Sequence, residues 1–269
     1  MDDKSMIKTI YPAVRQFTAD TGKISRDKHY MRTLLEVDVS NALQKLKAMR
    51  SRENKVSFLA WFIHILGACV ANHPPIDGVR QGKRSVISFK DVDISTIVEK
   101  QVEGVGVPIP LVLRDVNHQP IQQIEQSIRS AVEQKVESEG NYVLGKKKGD
   151  WLMRLATAVP QWMRLFFMRV FVLNNPKRLK AMMGTVMVTS LGMRGNLTGW
   201  IIPTSMHPLS IGIGSLSKKA AIYKGEIQKR DILHLTIAID HDVVDGMPAL
   251  RFVDELVSMM ERGTGLDSA

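Results

Sequence analysis

The stretch DHDVVDG at residues 240–246 joins a β-rich run to an amphipathic helical run. The preceding run, Ile232–Asp240, is dominated by Ile and Leu, which indicates a buried strand. After Gly246, apolar residues recur at helical spacing and predict a final helix; they are Leu250, Val253, Leu256, Val257 and Met260. His241 therefore leaves the end of a strand, four residues before the aspartate that opens a helix.

Each residue of this stretch also has an ordinary structural interpretation. Asp245 is typical of a helix N-cap, Gly246 suits a tight entry into a helix, and His241 could be a polar loop residue. What indicates chemistry is their combination in the spacing H-x-x-x-D-G.

The rest of the chain alternates strands and helices. Residues 31–50 predict a strand, a helix cap and a helix, and Val56–Asn72 predicts a buried helix that ends at Pro74-Pro75. A further helix is predicted from Gln119 to about Ser138. The other predicted strands are Val86–Phe89, Val92–Glu99, Gly106–Leu113, Gly184–Ser190, Leu209–Leu216 and Ala220–Tyr223. This order predicts an α/β fold with a mixed β-sheet covered by helices.

Composition narrows the class of protein. An apolar fraction of 44% with 24% charged residues indicates a globular chain. A net charge of +10 favours an anionic partner, which could be nucleic acid, anionic lipid or a phosphorylated small molecule such as a nucleotide cofactor. The densest basic clusters are Lys146–Lys148 and Lys177, Arg178 and Lys180. No nucleic-acid-binding motif accompanies them. The single cysteine, Cys69, excludes an intrachain disulfide and zinc sites built on paired cysteines, and its place in an apolar helix predicts core packing. With no apolar signal-peptide stretch near residue 1, we expect a cytoplasmic protein.

Residues 151–173, WLMRLATAVPQWMRLFFMRVFVL, are apolar and aromatic but contain three arginines and Pro160. These interruptions leave no apolar run of the about 20 residues that a membrane-spanning helix needs. The pattern favours a helical pair packed against the sheet or between subunits. A helix that lies on a membrane surface is the alternative.

Several other stretches agree with the histidine motif. Thr189-Ser190-Leu191-Gly192 follows the run GTVMV, and RDKHY at residues 26–30 precedes a strand. Two stretches complete the set: VSFLAWFIHILGACVANHPPIDG at 56–78, which contains the predicted buried helix, and IIPTSMHPLSIGIGSL at 201–216. In this order they resemble the catalytic domain of the acyltransferase components of 2-oxoacid dehydrogenase complexes and its relative, chloramphenicol acetyltransferase. The resemblance runs from about residue 20 to residue 262 and implies the two-layer sandwich of chloramphenicol acetyltransferase.

The resemblance also implies a reaction and a set of site residues. His241 would be the general base in acyl transfer to or from coenzyme A, and Thr189 would stabilise the oxyanion, with Ser190 as the alternative. Asp245 would form a buried charge pair with Arg26 that holds the histidine loop in shape. The expected assembly is a homotrimer, or a larger cage, in which the histidine of one subunit faces the hydroxyl of its neighbour.

The predicted domain organisation is a leader at 1–22, a catalytic domain at 23–263 and a tail at 264–269. Residues 141–182 form an apolar and basic insertion within the catalytic domain, longer than the connection usual in that family. The sequence shows no lipoyl or subunit-binding domain, so a lipoyl group would have to come from another chain. Asp242 occupies a position that is often basic or neutral in relatives.

The sequence suggests three other interpretations, and the first of them is discounted. The condensation domains of peptide synthetases carry H-H-x-x-x-D-G, but Asp240 stands where the first histidine would be and the chain is too short. A catalytically inactive trimeric scaffold of the same fold is the second. The third is a basic membrane-surface protein that uses residues 151–173.

Overall fold

A mixed sheet covered by helices forms the body of the protein. The computed structural model describes residue 7 and the ranges 15–50, 55–102, 105–133, 158–190 and 198–267. The helices are α1 (Arg15–Arg26), α2 (Ser40–Arg50), α3 (Phe58–Asn72), α4 (Ile121–Glu133), α5 (Gln161–Phe167), α6 (Pro176–Met183) and α7 (Gly246–Arg262). The strands are β1 (Tyr30–Asp38), β2 (Val79–Gln81), β3 (Ser85–Ile87), β4 (Ile94–Val102), β5 (Val105–Leu113), β6 (Val186–Ser190), β7 (Leu209–Tyr223) and β8 (Glu226–Asp240). Short helical turns of other types lie at Pro74–Asp77, Val116–His118 and Met168–Leu173.

The main sheet has six strands in the order β1-β8-β7-β6-β4-β5. Strand β6 runs parallel to both of its neighbours, and the other neighbouring strands are antiparallel. Strands β2 and β3 form a separate antiparallel hairpin. The predicted mixed sheet covered by helices is confirmed.

The hairpin of β7 and β8 differs from the expected series of short strands. Each strand is 15 residues long, so the runs predicted at Leu209–Leu216 and Ala220–Tyr223 belong to one strand. A register shift between Ile213 and Leu216 interrupts the pairing, and the outer half of the hairpin alternates exposed and half-buried residues. Lys224 and Gly225 at the tip both have positive φ, as a tight two-residue hairpin turn requires.

One face of the sheet is covered by helices that share its core. Helix α3 packs against both α4 and α7, and its residues Trp61 and Phe62 are fully buried together with Phe252 of α7. Ser57 caps α3 by accepting a hydrogen bond from the Ala60 N–H at 3.2 Å. The predicted helix at Val56–Asn72 is thus present. Helix α4 begins at Ile121 and is described as far as Glu133, and residues 134–138 of its predicted range lie outside the described residues.

The other face of the sheet is crossed by a loop that requires glycine beneath it. A Cβ atom on Gly212 would lie 2.2 Å from the carbonyl oxygen of Ile201, and one on Gly214 would lie 2.6 Å from that of Gly199. Trp200 fixes the loop by donating its indole N–H to the carbonyl of Leu35 at 2.9 Å. Residues 199–203 therefore lie directly on β7.

The two ends of the described chain pack onto this body. The leader boundary predicted at residue 22 falls inside α1. In the predicted tail, the Thr264 carbonyl accepts a hydrogen bond from the Trp61 indole at 2.9 Å, and Leu266 is buried. No helix among the described residues is long and apolar enough to cross a membrane.

Candidate active site

His241 is the first residue after β8, in a turn that leads to α7 and is here named the histidine turn (residues 241–245). Its backbone N–H donates to the carbonyl of His29 at 2.8 Å, which extends the β1–β8 pairing by one step. The N–H groups of Val243 and Val244 both donate to the Asp240 carbonyl, at 3.1 and 3.2 Å. The backbone of the turn is therefore fixed, while the imidazole side chain is exposed.

Two side-chain contacts join this turn to the residues that precede β1. The buried carboxylate of Asp240 contacts Nζ of Lys28 and accepts a hydrogen bond from the Asp242 N–H at 3.2 Å. The carboxylate of Asp242 lies 3.0 Å from Nδ1 of His29. Removal of one partner of a buried ion pair leaves the other charge without compensation, so Lys28 and Asp240 depend on each other.

The expected buried pair between Arg26 and Asp245 is wrong. Both residues are exposed, and within the described part of the chain neither forms an ion pair or a side-chain hydrogen bond. Asp245 occupies the N-cap position of α7 without a side-chain cap bond, and Arg26 ends α1. The pairing goes instead to Lys28, which lies two residues closer to β1 and so reaches Asp240.

Thr189 and Ser190 are the last two residues of β6. Val186 and Val188 on the same strand point into the core, so Thr189 points to the opposite face of the sheet. Thr189 is 8% exposed, and Ser190 is half-buried. The side chain of Thr189 thus points to the face of the sheet on which the loop 199–203 crosses Gly212, its neighbour in register.

The sheet register separates Thr189 from His241 within one chain. Thr189 is level with Gly212 of β7, and Gly212 is level with Thr236 of β8. Since His241 lies five residues beyond Thr236, the two site residues are roughly 16 Å apart along the strands and about 10 Å apart across them. A single chain therefore does not bring the imidazole and the hydroxyl together.

A cleft of about 490 Å³ opens beside the histidine turn. One wall is formed by Lys28, Asp240 and Asp242, and a second by the β2–β3 hairpin. The third wall comes from the segment around α6; the residues of the second and third walls are Val79, Arg80, Gly82, Leu173, Asn174 and Leu179. Sequence reasoning did not identify Arg80 or Asn174, because neither is near the site in the chain.

A buried polar cluster supports the turn from below. The hydroxyl of Tyr30, the residue opposite Asp240, lies 2.7 Å from the carbonyl of His207 and 3.0 Å from that of Ser205. Burial raises the pKa of Tyr30, and the Asp240 carboxylate raises it further. The ring of His207 lies 2.8 Å from the Ser205 hydroxyl and 2.9 Å from the Met183 carbonyl. Burial lowers the pKa of His207 to about 4, so this imidazole is neutral near pH 7.

Cys69 lies in the core, as predicted from its apolar helix. Its thiol donates to the Phe252 carbonyl at 3.6 Å, and burial raises its pKa to about 12. His73 and Glu255 are close enough to form a three-ligand group with it, but they pair with each other at 2.7 Å. The raised pKa opposes the thiolate that a metal needs, so we interpret the group as a contact between α3 and α7.

Comparison with known proteins identifies the family of this chain. A model described as 2-oxoacid dehydrogenases acyltransferase (catalytic domain) matches residues 18–140 and 176–266. The matched ranges contain Thr189, Ser190 and the histidine turn. They leave out 141–175, which lies within the segment predicted as an insertion.

Individual relatives are more distant. The lipoamide acyltransferase component of the branched-chain alpha-keto acid dehydrogenase complex of Pseudomonas putida is 26% identical over 89 residues, which cover 33% of this chain and 21% of that protein. The dihydrolipoyllysine-residue acetyltransferase component of the pyruvate dehydrogenase complex of Bacillus subtilis (strain 168) is 29% identical over 75 residues. These residues cover 27% of this chain and 16% of that protein. The chain thus spans about a fifth, or less, of the length of these curated relatives.

The fold as a whole is similar to that of solved catalytic cores. A probable dihydrolipoamide acetyltransferase from Listeria monocytogenes 4b F2365 superposes with a TM-score of 0.69 at 16% identity, over 98% of each chain. Since the family model matches most of the sequence, this chain belongs to the 2-oxoacid dehydrogenase acyltransferase catalytic-domain family.

Proposed function

We propose that this chain is an acyltransferase that moves an acyl group between coenzyme A and a thiol or another nucleophile, and that it works as a homotrimer. The observation that carries the proposal is the sheet register, which keeps Thr189 far from His241 in one chain and leaves the imidazole exposed. A site that needs both groups must therefore take them from two copies. Closed homo-oligomers supply such repeated contacts between unlike surfaces.

His241 is the general base in this proposal. A thiol with a pKa near 8.5 is mostly protonated at pH 7 and needs a base to take its proton, and histidine is the side chain most often used for that task. The contacts of Lys28 with Asp240 and of His29 with Asp242 hold the turn from both sides. A base that is held in place increases the rate, because it must lie within hydrogen-bond reach of the proton that it removes.

Thr189 is the proposed oxyanion donor, and Ser190 is the alternative. Attack on the thioester carbon produces a tetrahedral oxyanion, and a hydroxyl fixed at the end of a strand can donate to it. Thr189 is suited to this role because its backbone is held in the sheet: it is paired with Gly212 of β7, and the strand before it, as far as Val188, is also paired with β4.

The proposed substrates follow from charge and from the family. A chain with a net charge of +10 favours the phosphates of coenzyme A. The names of the curated relatives suggest dihydrolipoamide as an acceptor. The cleft beside the histidine turn would form one entrance, with Lys28 and Asp240 on its wall.

The experiment is a measurement of thiol release from a panel of acyl-coenzyme A thioesters, with dihydrolipoamide among the acceptors. We expect His241→Ala to lower turnover by about 10² to 10⁴-fold, the usual contribution of a general base. Equal turnover by both proteins would contradict the assignment of the base. A wild-type trimer that turns over none of the thioesters would favour the catalytically inactive scaffold.

A further inference from the structure

An aromatic surface lies on the helical segment that precedes α6. Of the stretch predicted as a helical pair at residues 151–173, residues 151–157 lie outside the described residues, and the rest contains α5 and the π-helical turn Met168–Leu173. Five apolar side chains are exposed on it and are here named the aromatic face: Trp162, Phe166, Phe167, Val170 and Phe171. Trp162 is 69% exposed and Phe166 is 57% exposed. Exposed apolar surface of this kind marks an interaction site.

Two arginines of the segment form ion pairs with aspartates in or next to α1. Nε of Arg164 lies 2.8 Å from the carboxylate of Asp20 in α1, and both side chains are nearly buried. Arg169 contacts Asp27, just beyond the end of α1. The segment thus packs against α1, while the five side chains of the aromatic face remain exposed.

Two exposed basic side chains border the aromatic face. The sequence contains no aspartate or glutamate from residue 151 to residue 225. Lys177 and Arg178 are exposed at the start of α6, and the guanidinium of Arg178 lies 3.4 Å from the carbonyl of Phe171. A cationic group therefore borders the aromatic side chains directly.

We propose that the aromatic face docks this protein on an anionic phospholipid surface. Aromatic side chains enter the boundary between headgroups and acyl chains, and neighbouring lysine and arginine side chains contact the anionic headgroups. The segment from Gln161 to Leu173 is much shorter than the about 20 residues of a spanning helix, so it lies along the surface. A second copy of the chain is the other occupant that this face could take, and sedimentation of an aromatic-face variant distinguishes it from lipid.

Docking would place the cleft beside the lipid. Leu173, the last residue of the segment, and Asn174, which follows it, both line the cleft. The inference does not rest on the proposed acyl transfer, because none of the five side chains of the aromatic face is assigned a role in it. His241→Ala should therefore bind vesicles as the wild type does.

Flotation of the full-length protein with vesicles tests this inference. The vesicles are phosphatidylcholine alone or a mixture with phosphatidylglycerol. We expect the wild type to float with the mixed vesicles, and Trp162→Ser with Phe166→Ser to bind them at least about tenfold more weakly. The matched control is Ile222→Ser with Ile227→Ser at the β7–β8 tip, where both side chains are 80% exposed, and it should float normally.

A second variant keeps the test valid if the first one folds poorly. Lys177→Glu with Arg178→Glu leaves the aromatic face intact and should weaken flotation with anionic vesicles. Failure of the wild type to float with the mixed vesicles would overturn the inference. So would an equal loss in the hairpin control, or an aromatic-face variant that changes the oligomeric state in sedimentation but not the flotation.

Discussion

Nζ of Lys28 contacts the buried carboxylate of Asp240, which joins the residues before β1 to the last residue of β8. The contact lies one residue from His241, whose backbone N–H bonds to the neighbouring His29 carbonyl at 2.8 Å. The histidine turn is thus held by a lysine–aspartate pair, in place of the arginine–aspartate pair that the family resemblance implies.

Lys28→Met should destabilise the fold. The substitution leaves the Asp240 carboxylate buried without its cation, and the free energy of unfolding should fall by about 3 kcal/mol. Urea denaturation measures this change. Arg26→Met is the matched control, because Arg26 is exposed, and it should change the free energy by less than about 0.5 kcal/mol. Equal effects of the two substitutions would contradict the assignment.

Thr189→Val should slow acyl transfer while the subunits still assemble. Valine matches threonine in shape but lacks the hydroxyl, and loss of an oxyanion donor lowers the rate by about 10² to 10³-fold. Steady-state kinetics and sedimentation measure the two properties separately. Thr189→Ser keeps a hydroxyl and should retain most of the activity. Unchanged kinetics for Thr189→Val would move the role to Ser190 or to backbone N–H groups.

Gly212→Ala should destabilise the sheet where the loop crosses it. The added Cβ would lie 2.2 Å from the Ile201 carbonyl oxygen, so the loop or β7 must move, at a cost of about 1 to 3 kcal/mol or more. Gly22→Ala in α1 is the control, since a Cβ there meets nothing within 4 Å. Alanine favours a helix over glycine, so this control should be neutral or slightly stabilising. Thermal unfolding of both variants distinguishes the two sites.

His207 should make stability depend on pH. Its folded-state pKa is about 4, below its ordinary value, so between pH 6.5 and pH 4 only the unfolded chain takes up the proton. Stability from this group is therefore lost as the pH falls through that range, by up to about 3 kcal/mol. Burial raises the pKa of Asp77 to about 6, which has the opposite effect on stability in the same range.

The difference between wild type and His207→Gln isolates the histidine, because Asp77 titrates in both proteins. The free energy of unfolding of the wild type, measured relative to that of the variant, should decrease from pH 7 to pH 4. Parallel stability curves over this range would show that the folded protein accepts the proton on His207.

Local patterns predicted the elements well. The buried strand and the amphipathic helix around DHDVVDG gave the β8–turn–α7 unit, because each has a strong periodicity over a few residues. The β7 strand was divided in the prediction, since its outer half alternates exposed and half-buried residues and a register shift interrupts it. The spacing H-x-x-x-D-G alone identified His241 as a candidate site residue.

The partners of the site could not be predicted in the same way. The contact between Lys28 and Asp240 joins residues 212 positions apart and depends on the register that sets Tyr30 opposite Asp240. The prediction of a buried pair between Arg26 and Asp245 was wrong, because the exact end of α1 decides which basic side chain reaches the histidine turn. Arg80 and Asn174 reach the cleft through the β2–β3 hairpin and the segment before α6, which carry no motif of their own.

The measurement that tests the central claim most directly is a mixing experiment with two inactive variants. His241→Ala and Thr189→Val are each purified, unfolded together and reassembled, and acyl transfer is measured. If each site takes its imidazole and its hydroxyl from different subunits, about one quarter of the random interfaces carry both native groups, and activity returns to about that fraction of the wild type. No recovery in mixed assemblies of the correct size would contradict a site shared between subunits.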